Sequence, residues 1–372
     1  MAKVALVKTG QGPRAIRTSV NRALEMLGGI RHYVSPGQRV LVKPNFVAAV
    51  PSAVTDLTVL ASVIDEVRSV GAVPFLGECP GFEFDSSATL RYLRVDKFAQ
   101  DNAVNLINLE ADSYVDQPFD HPFVKSVKVA ASALEADAII NVPKMKSHKL
   151  TTVSMAIKNS FGLLAKESRR QIHALGLHRG IAALYKLFQP VVSVMDGLTI
   201  PSTGAVYGSR IDLGIIAASS DMLSLDLACS PLLGAQPEDV EHLALAARYG
   251  ITPVEILGDH IQPVRVSGLE NTPRRWLYRA GYRSVYAFDC MVAKFGSNTI
   301  IPWFHNRFGL HPVINWSKCN DCGDCQPICE VNAIDIQARR IDYGRCAHLR
   351  CMACIDVCPR GAISTAQSYR SM

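Results

Sequence analysis

The sequence predicts an α/β fold, with a mostly parallel sheet and helices on both faces, followed by a small cysteine-rich C-terminal domain. The first 270 of 372 residues alternate short β-rich runs with segments of helical periodicity, a pattern typical of a parallel sheet covered by helices. Eight of the eleven cysteines then fall within residues 319–358. We therefore expect domains at residues 1–270 and 311–372, joined by an arm at residues 271–310.

The predicted elements follow one another along the first 270 residues. The strand KVALVK precedes the helix PRAIRTSVNRALEML, and RVLVKPN precedes the helix TDLTVLASVIDEVRSVG and the strand VPFLGE. Later strands are DAIINVPK, VVSVMDG and IDLGIIAASSD, and the helices SLDLACSPLLG and PEDVEHLALAARYG end at glycines suited to a C-cap. We also predict a helix through TTVSMAIKNSFGLL, capped by Thr151 or Thr152.

Composition and charge indicate a soluble globular protein with two basic patches. Hydrophobic residues make up 48% of the chain and the longest apolar runs are strand-length, so we predict no transmembrane segment. The chain opens without a secretory signal pattern, and we expect a cytoplasmic protein. Residues 141–190 carry a net charge of +8 and residues 271–310 carry +5, within a total of +6. Because the remainder is acidic, nucleic acid is not the expected partner.

The clustered cysteines form two runs of four. They are Cys319-x2-Cys322-x2-Cys325-x3-Cys329 and Cys346-x4-Cys351-x2-Cys354-x3-Cys358, the second followed by Pro359. Thiolates at these spacings can surround a cubane iron–sulfur cluster, three from one run and the fourth from the other. The alternatives are a disulfide framework, which the missing secretory signal disfavours, and zinc sites, which the x3-Cys-Pro spacing disfavours. The isolated Cys79, Cys229 and Cys290 are interpreted as buried structural thiols.

The two runs resemble the bacterial two-cluster ferredoxin domain, and their matching tails VNAI and RGAI support an internal duplication. The resemblance implies an α+β two-cluster ferredoxin-like domain with two [4Fe–4S] clusters. It assigns one cluster to Cys319, Cys322, Cys325 and Cys358, and the other to Cys346, Cys351, Cys354 and Cys329. The sequence departs from that pattern at Glu330, where proline is usual, and in the longer spacing after Cys346.

Polar side chains follow five of the predicted strands. They are Lys43 and Asn45, then Glu78, then Lys144, Lys146 and His148, then Asp196, and finally Asp221. Because open parallel sheets bind ligands beyond the carboxyl ends of their strands, we expect these side chains to meet at one edge. The basic patch continues to Lys158 and Asn159, and a glycine-rich loop with Gly204 and Gly208 follows Asp196.

These residues suggest a site for an anion. We expect Lys43, Asn45, Lys144, Lys146, Lys158 and Asn159 to bind the anionic group, while His148 or a lysine supplies a proton. Asp196, Gly204 and Gly208 would shape the opposite wall. The alternatives for the lysine-rich stretch are a solvated loop and a docking patch for an acidic redox partner.

The motifs VLVKPNF, NVPKMKSHKLTTVSMAIKNSFG and DG…G…G…ASSDMLSLD resemble the domain-of-unknown-function 362 family. Its members often carry a C-terminal two-cluster ferredoxin domain. The resemblance covers nearly the whole chain apart from residues 271–310. The chain has GAVYG where the family usually places Gly-Pro before the second loop glycine.

Two functional hypotheses follow. In the first, the chain is a cytoplasmic iron–sulfur oxidoreductase that takes electrons from a redox partner protein and passes them to a small anionic substrate or cofactor at the Lys/His edge. In the second, it is an electron-transfer module that docks an acidic redox partner and has no substrate of its own. No Rossmann or P-loop fingerprint is present, although flavin as a further cofactor is left open.

The arm at residues 271–310 is rich in arginine and aromatic residues. We interpret it as a packing arm that clamps the C-terminal domain against the sheet, because so aromatic a linker is poorly suited to water. Peripheral contact with an anionic membrane, with a partner protein or with nucleic acid is the alternative.

Overall fold

The computed structural model describes residues 1–48, 50–81, 86–203, 207–266, 269, 280–288, 291, 310–329, 331–346 and 353–367. The strands are β1 (Ala2–Lys8), β2 (Arg39–Lys43), β3 (Val73–Glu78), β4 (Asn105–Asn108), β5 (Tyr114–Pro118), β6 (Ser126–Ala130), β7 (Ala138–Asn141), β8 (Lys146–His148), β9 (Thr152–Ser154), β10 (Val192–Thr203), β11 (Tyr207–Ser219), β12 (Val254–Gly258), β13 (Leu310–Ile314), β14 (Ile334–Asp335), β15 (Arg340–Ile341) and β16 (Ile363–Gln367).

The helices connect and flank these strands. They are α1 (Pro13–Glu25), α2 (Leu57–Ser69), α3 (Ser86–Tyr92), α4 (Val95–Asp101), α5 (Ala131–Leu134), α6 (Ala156–Asn159), α7 (Lys166–Leu175), α8 (Leu177–Leu187), α9 (Met222–Cys229), α10 (Glu241–Ala246), α11 (Tyr343–Cys346) and α12 (Ala353–Asp356). None of the helices in the described ranges is long and apolar enough to cross a membrane.

The main sheet contains eight strands in the order β12-β1-β11-β10-β7-β2-β3-β4. Its neighbours pair in parallel, except that β11 runs antiparallel to both β1 and β10. The α/β fold with a mostly parallel sheet is therefore confirmed. Since β11 runs backwards, the residues that follow it lie at the opposite edge from the carboxyl ends of the other strands.

Alternating side chains of the strands face two separate apolar cores, one on each face of the sheet. Along β1, Val4 and Leu6 join one core and Ala5 and Val7 join the other, as the two-residue period of a strand requires. Helices α1 and α2 cover the second core, and α8 and α9 cover the first. The prediction of helices on both faces is confirmed.

Only part of the predicted helix through residues 151–164 is helical, from Ala156 to Leu163. Its first residues form strand β9, which pairs antiparallel with β8, and Thr152 adopts a positive φ of 69° at the turn. Helix α6 is a single α-helical turn that continues as a 3₁₀ turn to Leu163. At its start the buried Asp226 carboxylate accepts hydrogen bonds from the backbone nitrogens of Ala156 and Ile157 at 2.7 and 3.0 Å. A residue seventy positions away thus fixes where the helix begins.

The C-terminal region is built from two short antiparallel ladders, β13–β16 and β14–β15. Its core joins Ile334, Ile336 and Ile363 with the thiols of Cys325, Cys329 and Cys354. Residues 280–288 are helical, and there Tyr286 packs on Ala174 of α7. Most of the predicted arm at residues 271–310 lies outside the described residues.

Candidate functional site

Three lysines of the predicted edge are withdrawn from solvent. Lys43 ends β2, Lys144 follows β7, and Lys146 opens β8; their exposed fractions are 1%, 2% and 1%. Buried ammonium groups require partners, because the loss of hydration is costly. The solvated-loop interpretation is wrong for Lys144 and Lys146. The three lysines differ in which groups accept hydrogen bonds from each amine.

Lys43 forms an ion pair with Glu78 at the ends of two adjacent strands. Its Nζ donates to Glu78 Oε2 at 2.7 Å and to the carbonyl of Pro44 at 2.7 Å. Burial raises the pKa of Glu78 and lowers the pKa of Lys43, and each shift is opposed by the attraction of the partner. The pair joins β2 to β3 and places charge inside the edge.

Lys144 is paired in the same way with Asp196 of β10. Its Nζ donates to Asp196 Oδ2 at 2.8 Å, and the carboxylate also accepts from the backbone nitrogens of Asp56 and Leu198 at 2.7 and 2.9 Å. Asp196 is fully buried. Asp196 was expected to shape one wall of the site. It instead forms a buried ion pair with Lys144 that joins the segment after β7 to β10.

Lys146 differs from both. Its Nζ donates to Asn45 Oδ1 at 2.8 Å and to the carbonyl of Ala53 at 2.7 Å, and among the described residues no carboxylate forms an ion pair with it. Burial lowers the pKa of Lys146 well below its usual value, and the charges of Lys158 and Lys144 lower it further. This amine is held by neutral acceptors alone in the described part of the chain.

Two asparagines connect the lysines. Asn159 Oδ1 accepts from Lys43 Nζ at 3.2 Å and from Asn45 Nδ2 at 2.8 Å, while Asn159 Nδ2 donates to Asn141 Oδ1 at 2.8 Å. Because Asn45 also accepts from Lys146, a continuous hydrogen-bonded network runs from the Lys43–Glu78 pair to Lys146. The structure thus brings together Lys43, Asn45, Lys146 and Asn159.

His148 ends β8 two residues beyond Lys146. Its Nδ1 accepts from the backbone nitrogens of Leu150 and Thr151 at 3.1 and 3.3 Å, which assigns the proton of the neutral ring to Nε2. Burial lowers the pKa of His148 well below its usual value, assisted by the charges of Lys158 and His173. The environment therefore favours a neutral imidazole that donates a hydrogen bond from Nε2 over a protonated general acid.

The remaining predicted residues divide into three groups. Lys158, whose Nζ lies 5.6 Å from the centre of the Phe161 ring, is near enough to lower the pKa of both Lys146 and His148. Gly208 lies in β11, and Gly204 falls outside the described residues. Asp221 was expected at the carboxyl edge, which is wrong: it follows the antiparallel β11 and there caps α9, accepting from Ser224 N at 2.8 Å.

Several residues of this edge were missed by sequence reasoning. A Cβ on Gly162 would overlap Glu78 Oε1 and lie 2.7 Å from Lys43 Nζ, so only glycine lets this segment close over the ion pair. Arg169 is buried and donates to Cys79 Sγ at 2.7 Å. Gly162 lies in the quoted motif SFG, which could have pointed to it, whereas nothing local singles out Arg169.

His242 was also missed. It is fully buried on α10, stacks on His178 with ring centres 5.9 Å apart, and neither of its ring nitrogens has a hydrogen-bond partner among the described residues. Burial lowers its pKa well below the usual value, with the charges of His178 and Lys158 adding to the effect. Its sequence context, an ordinary amphipathic helix, carried no signal.

In the C-terminal region, four of the predicted ligands line one cavity. They are Cys319, Cys322, Cys325 and Cys358, and Ile314, Ile336 and Ile363 form the apolar part of the wall. Within the described residues no three His, Cys, Asp or Glu side chains converge as they would around a single metal ion; the four thiols are spread along the cavity wall. This is the set that the ferredoxin resemblance assigns to one cluster.

The second predicted set is only partly described, because Cys351 lies outside the described residues. Cys329 and Cys354 are buried in the regional core, and Cys346 packs against it. Backbone N–H groups donate to sulfur in both sets, from Ala333 to Cys329 at 3.2 Å and from Ala362 to Cys358 at 3.2 Å. Such N–H···S bonds and an apolar wall suit iron–sulfur clusters, whose potentials depend on them.

Comparison with known protein families agrees with this geometry. A family described as Domain of unknown function (DUF362) matches residues 40–231, and a 4Fe-4S dicluster domain matches residues 318–365. A thylakoid-associated protein of Synechocystis sp. is 28% identical over 253 residues, which are 64% of this chain and 76% of that protein. An uncharacterized polyferredoxin-like protein of Methanocaldococcus jannaschii is 41% identical over 58 residues, which are 16% of this chain and 25% of that protein.

Among solved structures, the lactate racemase apoprotein from Thermoanaerobacterium thermosaccharolyticum is similar, with a TM-score of 0.42 and 14% identity. The match covers 62% of this chain and 57% of that one, so this chain spans less than two thirds of its length. The dicluster match and the polyferredoxin-like relative support an iron–sulfur electron-transfer role and at least one [4Fe–4S] cluster.

Proposed function

Because the chain belongs to the DUF362 family and carries a C-terminal 4Fe–4S dicluster domain, we propose that it is an oxidoreductase acting on a small anionic substrate or cofactor at Lys146. Two [4Fe–4S] clusters, held by the two cysteine sets, supply single electrons when bound. The α/β domain, residues 1–270, binds the anion and provides the proton. Residues 311–372 form the second domain of this arrangement.

The observation that carries the proposal is the state of Lys146. Lys43 and Lys144 are each neutralised by a buried carboxylate, so they stiffen the edge and offer no free charge. Lys146 is equally buried, yet its recorded acceptors are an amide and a carbonyl oxygen. An anion placed beside it would stabilise the ammonium form and raise its pKa. The same amine can then bind the anion or release a proton.

The neighbouring groups complete this assignment. Lys158 adds a second positive charge that acts on both Lys146 and His148, and neutral His148 offers the anion an N–H donor at Nε2, since its Nδ1 accepts from the backbone. Asn45 and Asn159 hold the Lys146 amine in position through their network. Lys144 and Asp196 act as support for the β8–β9 hairpin, and Gly204 and Gly208 stay predicted contributors to the wall.

The alternative, an electron-transfer module that docks an acidic partner through these lysines, is less well supported. A docking patch needs exposed charge, and Lys43, Lys144 and Lys146 are at most 2% exposed. Cytoplasmic location stays a prediction for this chain, and thylakoid association belongs to its relative.

The test is anion binding measured as a shift of the melting temperature in anaerobically purified protein. Inorganic phosphate, acetate, malonate and succinate serve as probes, and native mass spectrometry detects any molecule retained from the cell. We expect at least one anion to stabilise the wild type and the exposed-site control Lys3→Met, but not Lys146→Met. If no probe stabilises the wild type and no small molecule is retained, the carrier alternative replaces this proposal.

A further inference from the structure

Helix α12 places one of the predicted cluster ligands against the α/β domain. It carries Cys354, and the next residue, Ile355, packs on the apolar group formed by Ala48, Val50 and Ala53, with Val47 beside it. These residues belong to the segment between β2 and α2. Helix α12 and β16 also contact β11. The buried side of the C-terminal region therefore rests on the segment that follows Lys43.

The segment between β2 and α2 also binds the Lys146 amine. The carbonyl oxygen of Ala53 accepts from Lys146 Nζ at 2.7 Å, and Asn45, which precedes the apolar group, accepts at 2.8 Å. Ala53 is fully buried between the two. The apolar group that Ile355 packs on thus includes Ala53, whose carbonyl holds the amine of Lys146.

The other cysteine set is exposed at one thiol. Cys322 is exposed, Cys319 and Cys358 are half-buried, and Cys325 is buried. The loop between Cys319 and Cys325 contains exposed Asn320, Asp321 and Asp324. In the set of Cys354, Cys329 and Cys354 are buried and Cys346 is half-buried. The first set therefore reaches solvent at Cys322, whereas the helix of Cys354 packs on the α/β domain.

We propose that the two cysteine sets act in a fixed order: the set containing Cys322 exchanges electrons with a one-electron carrier protein, and the set containing Cys354 serves the site at Lys146 across the contact between Ile355 and the apolar group of Ala48, Val50 and Ala53. This deepens the proposed function and rests on it. The reduced carrier is oxidised by one electron, and the anionic substrate or cofactor at Lys146 is reduced by one electron, with no bond made or broken. The contact of α12 with the α/β domain favours this direction, because electron transfer through protein falls steeply with distance.

The test uses charge at position 47 as a local probe of cluster potential. Val47 is partly exposed and touches the contact, so Val47→Asp is expected to lower, and Val47→Lys to raise, the reduction potential of the Cys354-held cluster. Asp324→Lys, in the exposed wall of the other cavity, is the matched control and is expected to raise the potential of the Cys322-held cluster. The potentials are read from anaerobic redox titrations followed by electron paramagnetic resonance, with Cys322→Ser and Cys354→Ser assigning the signals.

The ordering is overturned if both Val47 variants leave the Cys354-held cluster unchanged, or shift the Cys322-held cluster more. A second measurement needs no variant at the contact: a water-soluble paramagnetic relaxation agent should speed relaxation of the Cys322-held cluster more than that of the other, and the reverse order refutes the proposal. Neither the redox titration nor the relaxation experiment requires an anion at Lys146. A negative result would therefore refute the order of the two cysteine sets without refuting the proposed function.

Discussion

Lys144 at the carboxyl edge of the main sheet is buried against Asp196, whereas Cys322 in the C-terminal region is exposed and shares a cavity wall with three other thiols. At the sheet edge the protein supplies the partners for most of its buried charge, through ion pairs, amides and backbone groups. In the cysteine-rich region the thiols themselves form much of a small core. The comparison teaches that the first region is stable by its own contacts and the second depends on what it binds.

Removal of iron gives the largest expected difference between the two regions. Chelation under anaerobic reducing conditions is expected to abolish amide hydrogen-exchange protection across residues 310–367, because two-stranded ladders around so small a core are not stable alone. Strands β1 and β10 should keep their protection. Peptide-resolved exchange by mass spectrometry measures both at once, and protection that persists at β13 and β16 after iron loss contradicts the comparison.

Breaking the Lys144–Asp196 pair tests whether the sheet edge is stabilised by its own ion pairs. Asp196→Asn leaves the Lys144 ammonium buried without its carboxylate and is expected to lower the free energy of unfolding by about 3–5 kcal/mol. Urea titration of the iron-loaded protein measures the change. The double variant Lys144→Met/Asp196→Asn is the control, and it should recover part of the loss because no unpaired charge remains. The single variant Lys144→Met completes the comparison. If the double variant loses as much unfolding free energy as the two single variants lose together, the stability of the edge does not depend on the pair.

Asp226 sharpens the comparison, because its carboxylate is satisfied by backbone nitrogens and by no lysine among the described residues. Burial raises its pKa from 3.8 to about 7. The native state therefore keeps a proton that the unfolded chain releases above pH 4, so this group makes the unfolding free energy fall as pH rises from about 4 to about 7. Above pH 7 both states are ionised and the loss is complete.

The expected size of that loss is up to about 4 kcal/mol. Asp226→Asn cannot ionise, so its stability relative to wild type should rise steadily across this pH window and then level off. Denaturant titrations of both proteins at several pH values give the difference. Parallel profiles for the two proteins would rule out a native-state proton on Asp226.

The smallest effect comes from packing over the Lys43–Glu78 pair. Gly162→Ala places a methyl group against Glu78 Oε1 and Lys43 Nζ and is expected to cost about 1–3 kcal/mol. Gly281→Ala is the matched control, since a Cβ there meets open space in the helical residues 280–288, and alanine favours a helix. Melting temperatures compare the two. Equal stability of both variants would mean that the edge has room to adjust.

The two regions also differ in what sequence alone could predict. The thiols of the first cavity were predicted together, because the resemblance to the two-cluster ferredoxin domain assigns Cys358 of the second run to the first three thiols of the first run. The alternation of strands and helices likewise predicted the sheet. Periodicity does not distinguish a parallel from an antiparallel strand, however, so β11 was assigned the wrong direction and Asp221 the wrong edge.

Side-chain pairing at the sheet edge could not be predicted in the same way. Lys144 and Lys146 are two positions apart in one motif, yet the first meets a carboxylate from β10 and the second meets Asn45 and Ala53. These partners come from segments far away in sequence, and the fold alone brings them together. The short α6 has the same origin, since the Asp226 carboxylate from α9 holds its first turn.

The contact between Ile355 and the apolar group that includes Ala53 also has a consequence for biosynthesis. Domains generally fold from the amino terminus as the chain leaves the ribosome, and the main sheet can assemble once β12 has been made. The apolar cover over Ala53 arrives only with α12, which is made after β12 and the whole main sheet. Until then the segment behind Lys146 lacks this cover. A nascent chain that has not yet reached α12 would thus hold the Lys146 amine against a wall that is still open to water.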